Sequence, residues 1–401
     1  MRISSNTMFN FNVAALNQMQ AQLQQTQQQV ASGTRMVNAA SDPVAYTRAM
    51  DLTQMDAINT QQSANRTAAT DPLSLAGNTL QSVTQMLQDI RTTAVAAGGA
   101  NVTDANRATM AKTLTGQLQQ LIGLANSPDG SGNYLFSGFQ SKTPPFTTTS
   151  TGVVTYNGDG GQQLIQVSNG RQLAVNDNGA DVFMRIKNGN GTFATQAAAT
   201  NTGGGIIDKG AVTNPAALTG NGYSIAFSVA AGVTTYSVTN TTTGAAVAGM
   251  TAQPFTPGQA ISFDGMQMSI QGSPANGDSF TVAPSTNQSV FTTITNLINT
   301  LNTPAAGANL SNGLANGITN LDNAISSIAN TQASQGLRLN EISALQISGD
   351  NMSIQLKQTL STLQDTNYTT ALTTLNMQQT VLQAAQKSYA QTANLSMFNY
   401  L

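Results

Sequence analysis

Residues 9–37 read FNFNVAALNQMQAQLQQTQQQVASGTRMV, and apolar side chains recur in this stretch at every seventh position. That spacing is typical of a coiled-coil seam. The seam is weak, because Thr26 and Gly33 take two of the positions between the apolar ones. An ordinary amphipathic helix in a globular core is the alternative, although such a helix usually carries a wider apolar stripe. The apolar positions are Phe9, Leu16, Leu23, Val30 and Val37, with Met19 beside Leu16.

The chain is unusually poor in charge. Only 8% of its 401 residues are charged, the net charge is −2, and Glu341 is the single glutamate. In soluble domains about a quarter of all residues are usually charged. This small negative net charge gives no electrostatic attraction to nucleic acid or to an anionic membrane. The length allows two to four domains. We infer that the neutral, glutamine-rich faces of the helices pack against neutral neighbours rather than against bulk water.

Cysteine, histidine and tryptophan are absent from the sequence. Their absence excludes Ser-His-Asp and Cys-His catalysis and the usual zinc sites. We therefore predict a chain that is not an enzyme and has no catalytic residues, no cofactor and no metal. Because no histidine titrates, assembly of the chain should vary little between pH 5 and pH 8.

Two glycine-rich turns leave alternatives open. Residues 177–181, DNGAD, match the start of a calcium loop, but Asn188 stands where a bidentate glutamate would be needed. A plain turn before a strand is the other interpretation. Residues 158–161, GDGG, fit either an anion-binding nest or a hairpin turn.

Helix signals fill the first third of the chain. Asp42-Pro43 is a typical helix start, and a helical pattern runs from there to about Ala97. Asp71-Pro72 interrupts this pattern, which predicts a kink or two consecutive helices. A further helix is predicted from Thr103-Asp104 to Ala125.

The middle of the chain reads as short antiparallel strands in a sandwich or an open barrel. YLF (134–136) is a short β-like run, and residues 188–215 look like long loops. Asn-Gly dipeptides are strong hairpin signals. The predicted pairs are QLIQV with RQLAV around Asn169-Gly170, the two halves of YSIAFSVAAGVTTYSV (223–238), and ISFDGMQMSI (261–270) with DSFTV (278–282).

Helical spacing returns at about residue 288 and continues to the end of the chain. Two seams without charged flanks, one at each end of one chain, are natural partners, so we expect the terminal segments to pair. The C-terminal seams comprise Leu314, Ile318, Leu321, Ile325 and Ile328, then Ile342, Leu345, Met352, Leu356, Leu360 and Leu363, and finally Tyr368, Leu375, Leu382 and Tyr389.

These patterns predict an α+β multidomain fold. The N- and C-terminal segments form a long antiparallel helical rod with coiled-coil-like ends, and an all-β domain is inserted between them. The predicted boundaries are 1–40 with 364–401 for the paired terminal helices, 41–146 with 286–363 for a helical rod domain with a short β-hairpin, and 147–285 for the β domain.

The candidate site is an interface between helices and between subunits. Arg35 follows Gly33 at the end of the first helix, where its side chain could cap the helix or pair with a neighbouring subunit. The predicted interface residues are Leu16, Leu23, Val30, Arg35, Tyr368, Leu375, Leu382, Tyr389 and Phe398.

Six longer stretches and both ends of the chain have a recognisable sequence. The stretches are ASGTRMVNAASDPVAYTRAMDL (31–52), GNYLFSGFQSKTPPF (132–146), YNGDGGQQLIQVSNGRQLAVNDNGADVF (156–183), GDSFTVAP (277–284), LRLNEI (337–342) and residues 363–401. They resemble the bacterial flagellin superfamily, and the ends MRISSNTMF and LSMFNYL resemble its hook-associated members. One departure is Asn367, where the family usually has a second aspartate after Asp365.

The resemblance implies a structural adaptor subunit that assembles in the wall of the flagellum. Its implied partners are hook-associated protein 1 on the hook side, flagellin on the filament side, copies of itself in a ring, and a cytoplasmic export chaperone at the C-terminal helix. It also implies export to the extracellular flagellum without a cleavable signal peptide. The alternatives are flagellin itself, and an enzyme or adhesin carried by the β region.

Overall fold

The computed structural model describes residues 5–150, 152–304 and 307–394, and α-helices lie at both ends of this described chain. An inserted β region separates the N-terminal helices from the C-terminal ones, which confirms the predicted fold class. The helices are α1 (Ser5–Ser32), α2 (Pro43–Ala97), α3 (Asp104–Ala125), α4 (Val290–Asn302), α5 (Ala308–Gln364) and α6 (Tyr368–Asn394).

The strands of the described residues all lie between α3 and α4 and are short. A π-helical turn (Ala180–Met184) and a 3₁₀ turn (Pro215–Ala217) interrupt them. The strands are β1 (Phe146–Thr148), β2 (Val154–Tyr156), β3 (Leu164–Ser168), β4 (Arg171–Ala174), β5 (Ile186–Lys187), β6 (Phe193–Ala197), β7 (Ile206–Ile207), β8 (Ala211–Val212), β9 (Tyr223–Ala230), β10 (Val233–Asn240), β11 (Gln253–Pro254), β12 (Ala260–Phe263), β13 (Met266–Gln271), β14 (Ser279–Pro284) and β15 (Asn287–Gln288).

The chain divides into two compact units. The first unit combines Met1–Asn65 with Ala344–Leu401, and the second is Arg66–Ser343. The predicted division into paired terminal helices, a helical domain and a β domain has different boundaries from these two units, and it stays a prediction.

The helical part of the second unit has a continuous apolar core. Leu314, Leu321 and Ile328 of α5 are buried in it, as their 4-3 spacing predicts. Rings from four separate segments meet at one end of this core, with centroids 5.1–5.9 Å apart. These rings belong to Phe136, Phe146, Phe183 and Phe291.

Helix α2 continues through Pro72, so the alternative of two consecutive helices is wrong. Proline removes one backbone donor inside a helix. Packing compensates, because Leu73, Leu80 and Leu87 on the following turns are fully buried. The prediction for α3 is confirmed, and the Thr103 side chain accepts a hydrogen bond from the Asn106 amide at its start.

The β region contains a five-stranded sheet, β11-β10-β9-β14-β6, and a four-stranded sheet in which β12, β13 and β7 are neighbours and β8 also pairs with β13. All pairings in the described ranges are antiparallel, and the inward faces of both sheets contribute to one apolar cluster. A sandwich is therefore the better of the two predicted architectures. The hairpins around Asn169-Gly170 and within 223–238 are confirmed.

Three expectations for this region are wrong. β13 pairs with β12, β7 and β8, whereas β14 pairs with β9 and β6, so 261–270 and 278–282 are not partners. Residues 188–215 contain β6, β7 and β8 rather than only loops. Residues 134–136 form no strand, because Tyr134 makes only an isolated bridge with Pro128 and the next two side chains turn into the core.

The β3–β4 hairpin and the turn that follows it are held on α5 by ion pairs and hydrogen bonds. Arg338 of α5 donates to the Asp177 carboxylate at 2.6 Å, and Gln335 donates to its other oxygen at 2.8 Å. Arg171 of β4 makes a two-point ion pair with Glu341, at 2.6 and 2.9 Å. Asp177 is thus a buried ion-pair partner, which neither interpretation of the 177–181 turn anticipated.

Candidate subunit interface

Helices α1 and α6 of the first unit pack against each other in antiparallel directions. At one end the rings of Phe9 and Tyr389 lie 5.6 Å apart, and at the other end Tyr368 lies over Gly33. Most heptad positions of both helices are half-buried along this contact, whereas Phe9 and Tyr368 are exposed. The half-buried positions are Leu16, Leu23 and Val30 on α1 and Leu375, Leu382 and Tyr389 on α6.

Gly33 ends α1 in the left-handed conformation, with φ of +71°. A β-carbon at this position would also lie 2.9 Å from the Tyr368 hydroxyl oxygen. Glycine is favoured here on both grounds, because only glycine adopts this conformation without steric cost. The expectation that Gly33 ends the helix is confirmed.

Backbone hydrogen bonds tie the end of α1 to the break between α5 and α6. The Arg35 amide donates to the Gln364 carbonyl at 2.6 Å, and the Thr366 amide donates to the Gly33 carbonyl at 2.9 Å. Asn367 accepts from the Thr370 amide at 3.2 Å, so the asparagine found in place of the usual aspartate serves as an N-cap of α6. The terminal helix pair is therefore anchored at one end by paired backbone.

The remaining predicted interface residues are placed less uniformly. The Arg35 guanidinium lies 3.8 Å from Asp42 of the same chain, and both side chains are about half exposed. Tyr368 is also largely exposed, and Val37 lies beyond the end of α1. Phe398 falls outside the described residues. That these residues contact other subunits stays a prediction.

The seam between α1 and α6 contains polar positions. Thr26 is buried and donates to the Gln22 carbonyl of its own helix at 3.0 Å. The Gln378 side-chain oxygen is buried without a hydrogen-bond partner among the described residues. Polar groups at seam positions cost stability relative to apolar ones. The α1·α6 pair is consequently a weak coiled coil when taken alone.

The outward faces of this pair are almost uncharged and partly apolar. Residues 5–32 carry no charged side chain, and Lys387 is the only one in 368–394. Phe11 is 74% exposed and Met377 is 61% exposed, while Leu372 and Val381 are also exposed. An uncharged helix pair with exposed apolar side chains is suited to burial by further protein.

The whole first unit has very little core of its own. Among the described residues of this unit, sixteen large apolar side chains are exposed, including Val44, Met55 and Ile354. Its buried apolar residues, within the described ranges, are Met36, Ala45, Ala49, Leu356 and Ala371. Met352, which the seam spacing placed inside, is exposed, although Leu356 one turn later on the same face of α5 is buried.

The described residues offer little for catalysis or metal binding. They contain no group of three or more acidic side chains that could hold a metal ion, and none of their helices is long and apolar enough to cross a membrane. The Asp159 carboxylate accepts from the amides of Phe139 and Gly161, both at 2.8 Å. The 158–161 turn therefore binds its own aspartate, as expected of a structural turn.

Acid should destabilise the second unit through Glu341. Hydrogen bonds from the Arg171 guanidinium lower the pKa of Glu341, and partial desolvation opposes this only in part. A carboxyl group whose pKa is lower in the folded chain stabilises the fold above its unfolded pKa, and this contribution is lost as the pH falls. We predict constant stability from pH 5 to pH 8 and a decrease from about pH 5 to pH 3. Urea unfolding across this pH range should show the decrease in the free energy of unfolding, and the decrease should be shallower in the Glu341→Gln variant. An equally steep decrease in that variant would contradict the assignment to Glu341.

Comparisons with known proteins agree with this architecture. Residues 3–141 match the family model of the bacterial flagellin N-terminal helical region, and residues 196–284 match that of the flagellar hook-associated protein 1 D2-like domain. Flagellar hook-associated protein 3 of Salmonella typhimurium is 34% identical over 186 residues, which cover 46% of this chain and 58% of that protein.

Solved structures extend the similarity to most of the chain. The crystal structure of flagellar hook associated protein-3 from Legionella pneumophila has a TM-score of 0.74 and 32% identity, and the match covers 78% of this chain and 98% of that one. The flagellar junction protein FlgL from Legionella pneumophila has a TM-score of 0.73 and 31% identity, with coverage of 79% and 100%.

Proposed function

Because the chain belongs to the family of flagellar hook-associated protein 3, we propose that it is a structural adaptor subunit of the bacterial flagellum. It acts outside the cell, where it joins the hook-side junction protein to the flagellin filament. It does so by self-assembly through its terminal helices.

The observation that carries this proposal is the small core of the first unit. Five apolar residues are buried there within the described ranges, against sixteen large apolar side chains that are exposed. Monomeric proteins rarely leave so much apolar surface in contact with water. Neighbouring copies in a ring would cover this surface and would supply the stability that the unit does not have by itself.

Weak terminal helices also suit export followed by assembly. Most of the stability of a protein helix comes from packing of its apolar face, and the polar seam positions weaken this packing in the α1·α6 pair. Order in α1 and α6 therefore arises mainly when copies assemble, and burial of the helices offsets the lost chain entropy. A chain of this kind can remain unfolded until it reaches its place in the flagellum.

The adaptor contacts different proteins on its two sides. We assign hook-associated protein 1 to the hook side and flagellin to the filament side. The similarity of two segments of the chain to these proteins supports assembly among flagellar components. Before export, a cytoplasmic flagellar chaperone binds α6, whose exposed Met377 and Val381 lie one turn apart and fit an apolar groove.

Deletion of the gene tests the adaptor function directly. We expect cells with intact hooks, no filaments, and flagellin released into the medium. Restoring the full chain should restore the filaments. Filaments of normal length on the deletion strain would contradict the proposal. If the chain were instead flagellin, the deletion would remove the bulk filament protein itself, so no flagellin would appear in the medium.

A further inference from the structure

Two helices of the first unit carry exposed stripes that the α1·α6 pair does not use. On α2, five exposed residues follow one another from Val44 at intervals of 4, 3, 4 and 3, and we call this set the α2 stripe. The α5 stripe has intervals of 3, 4 and 3 and is also exposed. The α2 stripe comprises Val44, Arg48, Asp51, Met55 and Ile58, and the α5 stripe comprises Ile347, Asp350, Ile354 and Lys357.

We propose that the α2 stripe of one copy packs against the α5 stripe of the next copy, which makes these stripes the side-to-side contact of the ring. The proposal rests on the proposed function, since it names a surface by which the copies assemble. Both stripes have the spacing by which helices pack together. In the α2 stripe apolar residues lie on either side of the Arg48-Asp51 pair, and in the α5 stripe they lie on either side of Asp350. Val44 is 80% exposed and Ile354 is 64% exposed, so both have apolar area to bury.

The two stripes lie on opposite sides of the α2·α5 pair. Hydrogen bonds identify the positions at which the two helices face each other. Asn59 donates to the Gly349 carbonyl at 2.7 Å, and Ser353 donates to Asp56 at 2.8 Å. At about 100° per residue, the α2 stripe lies about a quarter-turn from the facing positions in one rotational sense, and the α5 stripe lies about a quarter-turn from them in the other. In two antiparallel helices, rotations of opposite sense place the stripes on opposite sides of the pair.

This arrangement determines the kind of assembly. The two stripes of one copy cannot meet each other, so each copy presents two different faces, the α2 stripe on one side and the α5 stripe on the other. Contacts between unlike faces repeat from copy to copy and close into a ring when the rotation allows. A two-fold dimer, in contrast, would need one face that is complementary to itself.

The charges on the stripes are complementary. Arg48, Asp51 and Lys357 make no ion pair within the described ranges. Asp350 accepts one hydrogen bond, from Gln346 of its own helix at 2.9 Å. Each stripe carries one acid and one base, so copies at equal height would place Asp51 opposite Lys357. A shift of about 15 Å along the helices would instead place Arg48 opposite Asp350.

Disulfide cross-linking tests the contact, because the chain contains no cysteine. Chains with one cysteine on each stripe, such as Asp51→Cys with Lys357→Cys or Met55→Cys with Ile354→Cys, would be incorporated into flagella and oxidised. We expect a ladder of dimers, trimers and larger multimers from at least one pair in a scan of the two stripes. Each single-cysteine variant should give no ladder, because unlike faces meet. The pair that reacts also reports the axial shift.

The outcomes separate this inference from the proposed function. Flagella that contain the chain but give no multimers across the whole scan would overturn the inference and leave the adaptor function standing. Cross-links from a stripe to flagellin or to another flagellar protein would overturn it as well. A chain that is missing from wild-type flagella would instead contradict the proposed function.

Charge insertion gives a second readout. Met55→Lys and Ile354→Lys each place a charge in the proposed contact, and each should reduce incorporation into flagella about tenfold. Gln54→Lys and Gln355→Lys are matched controls, because both glutamines are exposed and lie outside the stripes. Equal incorporation of stripe and control variants would contradict the contact.

Discussion

Leu23→Asp should remove the chain from assembled flagella while leaving the second unit folded. Leu23 lies in the middle of the α1 seam, half-buried against α6. A carboxylate at this position would be half-buried without a partner, because α1 carries no charge and Lys387 is the only charge on 368–394. Partial burial of an unpaired charge costs about 2 kcal/mol here, so incorporation should decrease about thirtyfold. Quantitative immunoblotting of purified flagella would measure it.

Leu23→Met is the matched control, since it keeps an apolar side chain of similar volume and should cost less than about 1.5 kcal/mol. The urea unfolding curve of the second unit should coincide in the wild type and both variants. Normal incorporation of Leu23→Asp would show that the α1·α6 seam is not needed in the assembled state.

The second large effect is expected at Asp177, in a different part of the molecule. Its ion pair with Arg338 is 2.6 Å long, and the two side chains are only 10% and 15% exposed. Removal of one partner from a buried pair leaves the other charge buried without compensation. Asp177→Ala should therefore lower the free energy of unfolding of the second unit by about 3 kcal/mol. Urea unfolding at pH 7 would measure this.

The chain supplies a matched control for this prediction. Asp322 pairs with Arg91 at the same distance, 2.6 Å, but its side chain is 48% exposed and that of Arg91 is 43% exposed. Exposed pairs contribute at most about 1 kcal/mol. Asp322→Ala should consequently cost much less than Asp177→Ala. If both variants lost the same free energy of unfolding, the difference in burial would not be the cause of the effect at Asp177.

Local patterns were sufficient to predict much of the fold. The heptads identified α1, α6 and their pairing, because a seam on each terminal segment needs a partner. Asn169-Gly170 identified the β3–β4 hairpin, because few other dipeptides adopt so tight a turn.

Contacts between distant segments could not be read from the sequence in the same way. The pairing of β14 with β9 and β6 depends on which sheet edges are free, and alternation within a strand does not encode that. Residues 134–136 have a strand-like composition because Leu135 and Phe136 are buried, although they lie in a turn. The continuity of α2 through Pro72 depends on packing against other elements, which outweighs the local preference.

The candidate interface shows the same division. Spacing placed Leu16, Leu23, Leu375 and Leu382 on facing surfaces. It could not indicate that Arg35 would lie near Asp42, because a side chain after a helix end can reach several partners. The ion pair between Asp177 and Arg338 was also missed, because the two residues are far apart in sequence. The motif LRLNEI was a signal, since it places Arg338 and the single glutamate on one helix of a charge-poor chain.

Hydrogen exchange of the purified chain and of assembled flagella, followed by mass spectrometry, tests the central claim most directly. In the monomer, the amides of 7–32 and 368–391 should exchange far faster than those of the buried helices of the second unit. In the flagellum the same amides should become strongly protected. Protection in the monomer as strong as in the flagellum, or fast exchange in both, would contradict the claim that neighbouring copies complete the fold of the terminal helices.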